Sequence, residues 1–66
     1  MYQNPAMEKL AILQRINQID EQLLDIQREA ENVPDTAWVR HQELAERTEQ
    51  FWKDKAKLVN KLDSLL

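Results

Sequence analysis

Apolar residues in the first half of the chain recur in a strict rhythm. Ile12, Ile16, Ile19, Leu23, Ile26, Ala30 and Val33 follow one another at alternating spacings of four and three. Such steps return to the same side of a helix every two turns, so the row reads as the seam of a helix packed lengthwise on another. Leu10, Leu13 and Leu24 flank the seam and widen it. The second half carries two rows. Leu44, Thr48, Phe51, Lys55, Leu58, Leu62 and Leu65 form one. Beside it, spaced by sevens, run Trp38, Ala45, Trp52, Val59 and Leu66, with Ala56 filling in. One partner helix cannot cover both rows, and a stripe this wide implies contact with more than one neighbour.

Prolines divide the pattern. The only two are Pro5 and Pro34. Asn4-Pro5 reads as a helix start, with Asn as N-cap and Pro at the first helical position, where its missing N–H is no loss. Pro34 disfavours helical geometry at Val33, so the first helix is expected over about residues 5–32. A linker follows over about 33–36, with Asp35 or Thr36 as the cap of a second helix over about 36–65. Each helix would be roughly 40 Å long at about 1.5 Å per residue. So short a connection makes the helices antiparallel neighbours. Folding the chain there sets Leu23 near Leu44 and Ala45, Ile19 near Thr48, Ile16 near Phe51 and Trp52, and Ile12 near Ala56. The expected fold is all-α: a single antiparallel helical hairpin spanning residues 1–66. Trp38, Ala45, Trp52, Val59 and Leu66 are left to dimerise two hairpins into a four-helix bundle, or to meet a larger partner.

Composition sharpens this picture. The chain has 66 residues, a size at which one core rarely suffices without a staple. Cysteine is absent, which removes disulfides and thiolate metal sites. Glycine is absent as well, which argues against hairpin sheets and phosphate-cradling loops. A partner chain is the staple that remains, and a homodimer is the expected form. No apolar run approaches the roughly 18 residues of a membrane span. The N-terminus lacks the apolar core of a signal peptide, so a cytoplasmic location is expected.

Charge is unevenly spread. The net charge is −3, which does not suggest a general binder of nucleic acid or anionic membrane. Lys53, Lys55, Lys57 and Lys61 crowd the last third of the second helix, alongside Lys9 and Arg15 in the folded hairpin. The open end is therefore basic. The loop end gathers Asp20 to Glu31 with Asp35, Glu43, Glu46 and Glu49, and is acidic. Bases near a helix C-terminus also suit the helix dipole. Lys9, Arg15, Lys53, Lys57 and Lys61 form a candidate patch for RNA or an acidic partner.

Candidate chemistry is sparse. His41 is the one histidine, and neither His-Glu-x-x-His nor Glu-x-x-His surrounds it. It falls near Ile26 and reads as a boundary residue capable of hydrogen bonding. Glu21, Asp25 and Glu29 form an i, i+4 row that reads as a solvated face. Ser64 is the only serine and has no base placed to activate it. No catalytic residue, cofactor, metal or small-molecule substrate is expected. Thr48 and Lys55 interrupt the inner row, and polar seam residues commonly fix register and oligomer state. Trp38 sits just past the linker and is the best candidate for a partner-binding anchor.

The middle of the chain also resembles a known family. Residues 29–52 carry an acidic stretch, an aliphatic-Pro linker, a Trp shortly after it, an Ala-Glu-Arg-Thr segment and then an aromatic. The residues concerned are Ala30, Glu31, Val33, Pro34, Trp38, Ala45, Glu46, Arg47, Thr48 and Phe51. This resembles the Rop-like family of small bacterial proteins encoded in nitrogen-fixation gene clusters. Asp35-Thr36-Ala37 departs from it, standing where a shorter linker with Gly or a polar residue belongs. The resemblance implies a helical hairpin, a rod-like dimer and an accessory role in nitrogen fixation through nitrogenase or its assembly factors. It brings no catalytic residues. Length and topology are also similar to those of Rop, a dimeric hairpin that binds paired RNA loops. That makes an RNA-binding regulator one alternative, and a structural subunit of a larger assembly another.

Overall fold

The computed structural model describes residues 5–65, with side chains from Ala6 onward. Asn4, read above as an N-cap, and Leu66, read as part of the outer row, lie outside the described residues. Helix α1 runs Pro5–Asn32 and helix α2 Trp38–Ser64, with residues 33–37 between them. The two lie antiparallel as one rod whose Cα extents are 54 × 18 × 15 Å. No strand occurs among the described residues. The fold is the all-α hairpin that the apolar rhythm predicts.

Burial follows the rows. Every residue of the α1 seam from Ile12 to Val33 is buried or half-buried. So is every residue of the inner α2 row from Leu44 to Leu65. Among the described residues, full burial is confined to Ile12, Ile19, Ile26 and Leu44, with Ile19 at 0% and Leu44 at 2% exposure. The reason is geometric. Two cylinders touch along one line, and only side chains on that line are covered from all directions. Residues at its edges keep one side in water.

The linker departs from expectation in one respect. The second helix starts at Trp38, and its N-cap is Ala37 rather than Asp35 or Thr36. The cause is a tight turn. The Ala37 N–H donates to the Pro34 carbonyl at 2.9 Å, so Asp35 and Thr36 occupy the two central turn positions. The helix can begin only after the chain has reversed. Its first bond runs from the His41 N–H to the Ala37 carbonyl at 3.1 Å. On the other side, the Val33 N–H closes α1 on the Ala30 carbonyl at 3.3 Å. The His41 side chain then reaches back, and its Nε2–H donates to the Pro34 carbonyl at 3.2 Å. A lone histidine thus ties the first turn of α2 to the linker.

Ala37 has φ −85° and ψ 59° and offers no side-chain oxygen to the first N–H groups of α2. An Ala37→Asp variant should supply that acceptor and favour the positive end of the helix dipole. The expected gain is about 0.5–2 kcal/mol. For a domain of this size each kcal/mol raises the melting midpoint by about 4–8 °C. Thermal melts by circular dichroism, at one fixed protein concentration, check this. An unchanged midpoint would mean that those N–H groups already have partners.

Candidate functional site

The outer row of α2 is uncovered. Trp38 is 68% exposed, Trp52 55% and Val59 39%. Ala45 and Ala56 are exposed with them. On α1, Leu10, Leu13, Asn17, Asp20, Leu24 and Gln27 repeat at spacings of three and four, so they form one stripe beside the seam. All six are exposed. The two stripes share one side of the hairpin. Asp20, Leu24 and Gln27 line a single open depression of about 660 Å³ together with His41, Ala45, Thr48 and Trp52. Ile26 and Leu23 form part of its floor beside Leu44. His41 and Ile26, and Leu23 with Leu44 and Ala45, line the same hollow.

A second, smaller hollow continues beyond Trp52, lined by Lys55, Ala56, Val59 and Asn60. Trp52 therefore stands as a ridge between two hollows. Lys55 braces it: its Nζ lies 5.1 Å from the Trp52 ring centroid. The same Nζ reaches across to Asp20 Oδ1 at 2.6 Å. Lys55 is thus a polar interruption that bridges one helix to the other. Thr48 is not, because its hydroxyl donates to the Leu44 carbonyl of its own helix at 2.9 Å.

The opposite side of the hairpin is charged. Successive residues turn by about 100°, so Arg40 and Glu43 point away from Trp38 and Ala45, two positions off. Arg40 pairs with Glu29 across the helices and with Glu43 at 3.0 Å along its own. Its guanidinium pKa is raised above the ordinary value, first by the hydrogen bond to Glu29 and then by the one to Glu43. Arg40 stays cationic throughout any working pH range. Near the open end Lys61 faces Glu8 at 3.8 Å.

The five candidate bases of the RNA-type patch do not converge. Lys9 continues the α1 seam and is half-buried, whereas Arg15 is exposed beside it. Lys53, Lys57 and Lys61 form an exposed i, i+4 row. Lys53 pairs with Glu49 at 3.3 Å and Lys61 with Glu8, so part of this charge is already answered. Among the acids, Asp25 faces Arg28 at 3.9 Å and Glu29 holds Arg40. Among the described residues, no group of three or more His, Asp or Glu is placed to hold a metal ion. Ser64 Oγ donates to the Lys61 carbonyl at 2.7 Å, an ordinary helix-end bond. No described helix is long and apolar enough to cross a membrane.

Sequence reasoning missed two features. The Lys55–Asp20 pair joins residues that the seam register sets some two turns apart, and only the reach of a lysine closes that gap. The sharing of a side by the Leu10–Leu24 stripe and the Trp38–Val59 row was open to helical-phase arithmetic. In a single hairpin, at dilution that keeps the chain monomeric, the Lys55–Asp20 coupling should be modest, because the Asp20 side chain is about half exposed there. A double-mutant cycle with Asp20→Asn and Lys55→Met, read by urea unfolding, should return no more than about 1 kcal/mol. In roughly 1 M salt, where the Debye length is about 3 Å, the coupling should shrink. A larger, salt-insensitive value would mean that the pair is covered by further protein.

Comparison with models of protein families, with curated proteins and with solved structures found no match.

Proposed function

We propose that this chain is a non-enzymatic interaction module that acts as a homodimer of helical hairpins, closing into a four-helix bundle that docks on a larger protein. The observation that carries the proposal is the exposed apolar side: Trp38, Trp52, Val59, Leu10, Leu13 and Leu24, each at least 39% exposed. Exposed aromatic residues set in a continuous apolar patch mark association surfaces. A single hairpin with four fully buried side chains among the described residues also leaves the stabilisation of so small a chain to a partner. Within that scheme Trp38, next to the linker, is the anchor at the tip of the rod, at the edge of the contact between the two hairpins.

A non-catalytic role is supported by how the polar groups are used. His41 is engaged with the Pro34 carbonyl, and Ser64 with that of Lys61. The depressions on the surface are open troughs on helix flanks. The resemblance of residues 29–52 to the Rop-like family suggests the cellular context. We propose an accessory role in nitrogen fixation, in the cytoplasm, with nitrogenase or an assembly factor as the larger protein. Dispersal and partial pairing of the basic residues make RNA the weaker partner.

Light scattering at micromolar concentration should give twice the 7.9 kDa chain mass. A mass of one chain would refute the dimer. Capture of a protein from host lysate should survive nuclease and weaken in a Trp38→Ala variant of unchanged helical content. Recovery that collapses with nuclease would instead put an RNA partner first.

A further inference from the structure

We infer that the second copy lies on the apolar side end to end, antiparallel, with Trp52 of each chain seated in the depression between Leu24, His41, Ala45 and Thr48 of the other. The inference rests on the homodimer reading and specifies its geometry.

The row spaced by sevens carries the argument. Trp38, Ala45, Trp52 and Val59 alternate in bulk, and reversing the row sets large against small. About a twofold axis placed midway between Ala45 and Trp52, each Trp52 comes level with the partner's Ala45, and each Trp38 with the partner's Val59. An isologous twofold contact requires this kind of self-complementarity. The shape of the surface agrees with it. Trp52 is the ridge, and the hollow on its linker side has Ala45 where a larger residue would fill it. The hollow beyond it, lined by Ala56 and Val59, lies at the level of the partner's Trp38. A parallel twofold pair would instead stack α2 on the partner's α1. Trp52 would then lie over the partner's α1 near Asn17 and not over Ala45.

Charge points the same way. The linker half, residues 20–49, carries nine acids and three bases and the rest of the chain three acids and six bases, most of them on flanks away from this contact, so the charge acts between the ends at long range. The antiparallel arrangement sets acid against base at both ends, whereas a parallel one sets like against like. The 54 × 18 Å outline of the hairpin encloses more than the about 800 Å² per partner that a standard interface buries.

The chain has no cysteine, so a single Asp35→Cys variant carries one spin label, in the exposed linker. Dipolar spectroscopy on the dimer should give about 40 Å between the two labels at about 1.5 Å per residue. A separation under about 20 Å, as for neighbouring linkers on helices packed about 10 Å apart, would overturn the inference. The socket has its own test. Ala45→Trp should abolish the dimer, and adding Trp52→Ala should restore it. A dimer unaffected by Ala45→Trp would overturn the seating of Trp52. A wild-type mass of one chain would be a failure of the homodimer reading itself. A dimer with a short label distance would be a failure of this geometry alone.

Discussion

The structure depends on one line of contact. Ile12, Ile19 and Ile26 of α1 meet Leu44 and the half-buried residues of the inner α2 row along it. Among the described residues nothing else of comparable size holds the helices together. The cross-helix ion pairs involve side chains that remain partly in water, where such pairs contribute little. Hydrophobic burial along the seam therefore sets which side of each helix turns inward. It sets equally which sides are left outside.

The linker fixes the phase of that contact. Pro34 ends α1, and the Pro34–Ala37 turn reverses the chain within four residues. Because the turn uses Asp35 and Thr36, α2 begins on an alanine with no capping oxygen. His41 recovers part of the loss by holding the Pro34 carbonyl from the first turn of α2. That bond also brings His41 to the rim of the depression beside Ala45. Local chain reversal and the shape of the candidate interface are joined through one side chain.

The two sides of the hairpin divide the remaining work. One is laced by Arg40 with Glu29 and Glu43, and by Lys61 with Glu8. Its charges are solvated and mutually answered, so it has little to gain from being covered. The other presents two tryptophans, three leucines and a valine around the Lys55–Asp20 pair. Covering it removes apolar area from water, and the pair at its middle favours partners whose polar groups fit.

By itself the sequence determined the helices, their ends to within about two residues, and the rows that turn inward. These follow from periodicity and from proline, which act locally. Ile19 and Leu44 were legible as seam residues, and Trp38, Ala45, Trp52 and Val59 as a row no single helix could cover. The cap at Ala37 was not legible, because capping residues and turn residues are the same types, and Asp35 and Thr36 fit either role. Nor was the hollow beside Trp52, which exists only where Leu24 of one helix and Ala45 of the other flank the seam at matching heights. Lys55 read as an interruption and is a brace, since the position of Asp20 across the groove decides it. Periodicity assigns each side chain a direction from its own helix axis. Only the packing of the second helix determines what lies in that direction, and hence which apolar residues are core and which form a surface.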